Sequence, residues 1–208
     1  MHPGIGCLFF EYRLAFANRL WRDKKMSEEM LVMHCSPTLA GLKTGNLFSC
    51  SYRDREEVLG FLRHWNTTLR EKGIRLIPLR FKNGKALIYV YRPSKLNKDF
   101  RDDGVCQLLA QQGYCTDSCQ QCIVRLIHKL RESAEFPHEI WLFLGYPCED
   151  VKGFIENRAA RAKCVGCWKV YGDADKAQKQ FERSKKCTNV YQKQYANGRP
   201  LTKLTVSR

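Results

Sequence analysis

No stretch of this sequence approaches the roughly 20 consecutive apolar residues that a membrane-spanning helix requires. The chain does not open with the charged start, clean apolar run and small-residue cleavage site of a secretory leader. It carries no internal repeat and no low-complexity tract. No glycine-rich turn follows an apolar strand segment, which speaks against a doubly wound dinucleotide-binding sheet. Acidic residues are scarce: 21 Asp and Glu face 36 Lys and Arg, for a formal net charge of +15. That surplus favours anionic partners, whether nucleic acid, a phosphorylated or carboxylated small molecule, or an acidic membrane surface. Together these features lead us to expect a cytoplasmic protein with reduced thiols and no transmembrane segment.

What is present suits a folded domain. At 208 residues, 44% apolar and 12% aromatic, the chain can bury a sizeable core. Its eleven cysteines pack well as small hydrophobes, so most need no chemistry to explain them. The charge is uneven. From Val151 to Arg208 there are 14 Lys or Arg and 4 Asp or Glu, so +10 of the +15 falls in the last third. Residues 1–25 differ from the rest. Phe9, Tyr12, Phe16 and Leu20 fall at helical spacing. The next stretch, "MSEEMLVMHCSPTLAG", opens as a natural helix start, with Ser27 as cap and Glu28 and Glu29 in the first turn. We therefore expect 1–25 to be an N-terminal extension and 26–208 a single domain with a basic C-terminal third.

The expected class is α+β: a small, mainly antiparallel sheet surrounded by helices. "DREEVLGFLRHWNTTLREKG" reads as a helix capped by Asp54, with Val58, Leu62, Trp65 and Leu69 as its apolar stripe. Asn83-Gly84 between two apolar runs signals a hairpin, because a type I′ turn needs positive φ at both positions. Pro78 marks the first of those strands as an edge or a bulge. Three helices are expected over "SKLNKDF", "DDGVCQLLAQQG" and "DSCQQCIVRLIHKLRES". "HEIWLFLGYP" then reads as a buried strand, "EDVKGFIEN" as a short helix and "CWKVYG" as another strand. Two basic helices and a last strand over "LTKLTV" complete the expectation.

The stretches "HCSPTLAGLKTGNLF", "ALIYVYRPSKL", "FPHEIWLFLGYPCEDVKGFIEN" and "CVGCWKVYGD" together resemble the DUF3793 family. Its members are proteins of clostridia and related Firmicutes, catalogued as a domain of unknown function. The resemblance spans about Met26 to Val206. It implies a bacterial cytoplasmic protein and brings no catalytic residues with it.

The candidate chemistry starts at Cys35. Ser36-Pro37-Thr38 reads as a helix start, which would place the thiol near the positive end of a helix, where its thiolate is favoured. "CSPTLA" is also similar to the Cys-Gly-Pro-Thr helix start of papain-like peptidases of the bacteriocin-processing type, with Ser36 where those have Gly. In that likeness Cys35 is the nucleophile, His138 the base at the head of a strand, and Asp150 or Asn157 its orienter. A buried thiol beside a helix cap is the plain alternative. Cys115, Cys119 and Cys122 have the C-x₃-C-x₂-C spacing of a cluster-binding loop, and equally that of a core stripe on one helical face. Cys164 and Cys167 make half of a zinc knuckle, without the second half. No metal or cofactor is expected. The basic end interleaves Lys and Arg with Trp168, Tyr171, Phe181, Tyr191 and Tyr195, a pattern that can neutralise phosphates and stack on bases, or simply pack. Thr38, Lys43, Tyr146, Asn157 and Lys169 are the candidate ligand-holding residues. Two functions follow: a thiol-dependent hydrolase or transferase using Cys35, His138 and Asp150, or a module that binds an anionic ligand or nucleic acid through the basic C-terminal region.

Overall fold

A computed structural model describes residues 25–133, 135–158 and 160–207. Apart from Lys25, the expected extension 1–25 lies outside the described residues. Helix α1 (Glu28–Leu39) is followed by β1 (Gly45–Ser51), α2 (Arg55–Leu69), β2 (Arg75–Lys82) and β3 (Lys85–Tyr91). Four helices come next: α3 (Pro93–Asp99), α4 (Asp103–Gln111), α5 (Cys119–Glu132) and α6 (Ile140–Phe143). The chain then forms α7 (Cys148–Glu156), a minimal hairpin of β4 (Cys164–Val165) and β5 (Lys169–Val170), the long α8 (Ala174–Ala196) and α9 (Leu201–Leu204). The class is the mixed one read from the sequence.

The sheet is antiparallel in the order β1-β3-β2. Asn83 and Gly84 both have positive φ, 51° and 70°, and Lys82 pairs with Lys85 across the turn. This is the geometry an Asn-Gly hairpin needs. Strand β2 is an edge, and its register shifts between Pro78 and Arg80. A residue without a backbone N–H is tolerated at such a place.

Strand β3 reads "KALIYVY" because both of its faces are covered. Ala86, Ile88 and Val90 join a core with α1, the α2 stripe of Val58, Leu62, Trp65 and Leu69, and Leu201 and Leu204 of α9. Leu87 and Tyr89 face the opposite way, into a second core built from α3 to α7. Alternation along one strand thus serves two cores.

Arg92 closes the first layer. It is fully buried and donates through Nε to the Thr38 carbonyl (2.7 Å), and through Nη2 to the carbonyls of Leu39 (2.7 Å) and Val206 (2.6 Å). Nη1 donates to Lys72 O at 3.1 Å. One guanidinium thereby ties the C-terminal end of α1 to the α2–β2 loop and to the chain's last residues. Leu201 N donates to Glu28 Oε1 at 2.9 Å, a second tie between the end of the chain and the start of α1.

Four expectations of local structure change. "IWLF" is one helical turn and not a strand, since a short buried apolar run fits either form. Pro137 precedes it, and Gly145 at φ 75° ends it. The segment 201–204 is helical. The two basic helices are one 23-residue helix, α8, capped by Asp173. The helix start expected at Ser36 is the last turn of α1, because the Ser27 side chain has already capped that helix by accepting from Met30 N. Pro37 then brings the helix to a close: its carbonyl accepts from Leu42 N (2.8 Å) and Lys43 N (3.1 Å).

Candidate functional site

Cys35 therefore sits in the body of α1. Its side chain is fully buried in the core with Leu31, Leu39 and Phe48. Burial pushes its thiol far above the ordinary cysteine range, and Lys43 offsets only part of that. Neither the positive helix end nor the access that a nucleophile needs is present. His138 lies in the turn before α6, with its ring edge-on to Phe154 at 5.0 Å, and burial lowers its pKa. Asp150 does not orient it. Asp150 is 3% exposed; its Oδ2 accepts from Trp168 Nε1 (2.7 Å) and its Oδ1 from Tyr171 N (2.7 Å) and Gly172 N (2.8 Å). These three donors fasten the end of β5 to α7. Cys35 is thus sealed in the core, and Asp150 is committed to holding Trp168.

What Asp150 holds is one wall of a cleft of about 950 Å³. The cleft runs beside the edge strand β1 and is bounded by the end of α1, by α6 and α7, by the β4–β5 hairpin and by one side of α8. Tyr146 stacks on Trp141 (5.4 Å, 12°) and on Trp168 (4.6 Å, 28°). Phe181 meets Trp168 edge-on at 4.5 Å. Phe48 and Phe154 complete the aromatic lining. Lys43, Lys169 and Lys185 bring positive charge, and the Lys43 ammonium lies 4.5 Å from the Tyr146 ring centroid. Asn46, Gln178 and Asn189 supply amides, and Glu182 an acid. His34 also lines the cleft, stacked on Phe48 at 5.4 Å and 8°. Its Nε2 is buried without a hydrogen-bond partner, and burial lowers its pKa to about 4, so the ring is neutral at pH 7.

The family described as "Protein of unknown function (DUF3793)" matches residues 31–205. The chain belongs to that family. No curated protein and no solved structure matches it. The DUF3793 match covers every element that lines the cleft, from His34 to Asn189.

Of the residues singled out in this DUF3793 sequence, Lys43, Tyr146, Asp150 and Lys169 all line the cleft. Thr38 does not. It is buried and donates to Asn46 Oδ1 at 2.6 Å, and so positions a lining residue. Asn157 caps α7 and donates to Gly153 O at 2.8 Å, away from the lining. Sequence reasoning missed Asn46, Phe48, Trp141, Phe154 and Lys185 as site residues. Aromatic density in "HEIWLFLGY" is a sequence signal for Trp141, and the run of basic residues after Phe181 for Lys185; no local pattern singles out Asn46, Phe48 or Phe154. Among the described residues, no three His, Cys, Asp or Glu side chains are gathered as a metal ion would need. None of their helices is long and apolar enough to cross a membrane.

Proposed function

We propose that the cleft binds a small anionic molecule carrying an aromatic or other apolar ring system, with a mononucleotide as the representative class. The observation that carries this reading is the convergence of six aromatic side chains and three lysines on one cavity. The volume is of the order used by small-molecule sites, about 300–1,000 Å³. The rings cover the apolar body of the ligand, and the lysines offset its charge. Two acids also line the cleft, Glu182 and Asp150, so its three lysines leave one positive charge in surplus, and the Asp150 oxygens are already taken up by three N–H donors. The basic C-terminal third takes part through Lys169 and Lys185 rather than as an open nucleic-acid surface.

The test is a tryptophan-fluorescence titration with adenosine monophosphate, guanosine monophosphate and 1-anilinonaphthalene-8-sulfonate, an anionic aromatic probe. Saturable binding at one site is expected for at least one of them. Lys43→Ala and Lys169→Ala should each weaken it by about tenfold, equivalent to about 1.4 kcal/mol. No saturable binding up to millimolar ligand, or binding that neither substitution changes, would overturn the proposal.

A further inference from the structure

A second group of side chains lies away from the cleft. Cys106 on α4, Cys115 in the α4–α5 loop, and Cys119 and Cys122 in the opening turns of α5 come together at one corner of the second core. All ten cysteines of the described residues are free thiols. Cys115 is exposed, and its thiol donates to Asp117 Oδ2 at 3.3 Å. Cys122 is fully buried, and its thiol donates to the carbonyl oxygen of Cys115 at 3.1 Å. Cys119 lines a small polar cavity of about 220 Å³ with Arg101, Thr116 and Asp117. The four sulfurs are not arranged around a common centre as a metal ion would require.

We propose that Cys115 and Cys122 form an oxidisable pair that exchanges with low-molecular-weight disulfides and closes to a Cys115–Cys122 disulfide. Geometry selects this pair. Cys119 and Cys122 stand three apart on one helix, which holds their Cβ atoms about 5–6 Å apart. A disulfide wants about 3.5–4.5 Å. Cys115 precedes the helix, and its backbone already touches the Cys122 sulfur. Bridging them calls for the Cys115 side chain to turn from Asp117 toward the Cys122 sulfur.

The chemistry balances in two exchanges. The Cys115 sulfur attacks one sulfur of the external disulfide; that S–S bond breaks, and one thiol leaves carrying the Cys115 proton. The Cys122 sulfur then attacks Cys115 in the mixed disulfide, and the second thiol leaves with the Cys122 proton. The two cysteines lose two electrons, and the external disulfide gains them. Exposure makes Cys115 the entry point. Burial, with the neighbouring Cys119, Cys115 and Cys106 thiols adding to it, pushes Cys122 up to about 11. The second exchange is therefore the slow one, and the mixed disulfide at Cys115 accumulates first.

The test treats the full chain with oxidised glutathione at pH 8, blocks remaining thiols with iodoacetamide and maps the digest by mass. Trypsin leaves all four cysteines in the fragment 102–125, and a second cut before Asp117 separates Cys106 and Cys115 from Cys119 and Cys122. A glutathione adduct on Cys115 should appear first. It should give way to a link across Asp117, with two alkylatable thiols lost and both recovered with dithiothreitol. The link should persist in Cys119→Ser and vanish in Cys115→Ser, an exposed substitution that does not threaten the fold. An adduct that never resolves, a link that survives Cys115→Ser, or a fragment 102–125 that stays fully reduced would each overturn the proposal.

Discussion

Replacing Arg92 with Met keeps most of the buried stem and removes the guanidinium. Four carbonyls then lose a charged donor: Thr38, Leu39, Lys72 and Val206. The loss is uneven. Thr38 O still accepts from Gly41 N, and Leu39 O from Val206 N, both at 3.0 Å. Lys72 O and Val206 O depend more heavily on Arg92. A hydrogen bond from a charged donor contributes about 1.5–3 kcal/mol, while the part-buried Lys72 and Val206 carbonyls can turn to water once the guanidinium is gone. Relief of the guanidinium's own desolvation returns several kcal/mol. The net expectation is a loss of about 3–5 kcal/mol, a large part of the roughly 5–15 kcal/mol that holds a domain together. For a chain of this size that lowers Tm by about 10 °C. Arg92→Lys, whose single ammonium cannot serve four carbonyls, should fall between wild type and Arg92→Met. Urea unfolding followed by circular dichroism, with m-values compared, measures the difference. If Arg92→Met stays within about 1 kcal/mol of wild type at unchanged m, the guanidinium is not the tie described above.

His34 makes the fold acid-labile: its folded pKa of about 4 lies below the ordinary 6.5, so the unfolded chain takes up the proton first. Stability should be full above about pH 6.5 and fall by up to about 3 kcal/mol toward pH 4, and urea midpoints should show less of that fall in His34→Phe. Under limiting iodoacetamide at pH 7.5, Cys115 should be alkylated early, and Cys35 only after unfolding; early labelling of Cys35 would show that α1 opens readily. Gly166→Ala should displace the β4–β5 hairpin, because a Cβ there runs into the Phe181 ring; near-ultraviolet circular dichroism should lose Trp168 signal while far-ultraviolet signal is kept. The chain 26–208 should unfold within a few degrees of the full chain, as a scanning calorimeter would show, if residues 1–25 are an extension.

The elements that local chemistry specifies were legible. The Asp54 cap, the stripe on α2, the Asn-Gly turn and the Pro78 irregularity each depend on residues a few positions apart. The failures have a physical cause in common. Ser36-Pro37 is a good helix start read alone, but the helix begins nine residues earlier, capped by Ser27, and runs through it. The run "IWLF" has no period that separates strand from helix. The role of Arg92 depends on carbonyls 20 to 114 positions away, which no local pattern announces. The cleft is a similar case. Lys43, Tyr146 and Lys169 could be picked by type, yet the residues that complete their site run from His34 to Asn189. Only the packing of α8 along α1 and the fastening of Trp168 by Asp150 bring them to one place.

Four tryptophans give the cleft an internal control. Trp141 and Trp168 line it, whereas Trp65 lies in the core beneath α2. In a ¹⁵N-labelled sample titrated with adenosine monophosphate or 1-anilinonaphthalene-8-sulfonate, the indole N–H signals of Trp141 and Trp168 should move together and saturate. The Trp65 signal should stay in place. A titration in which Trp65 moves while Trp141 and Trp168 do not, or in which no indole signal moves at millimolar ligand, would contradict a binding site in this cleft.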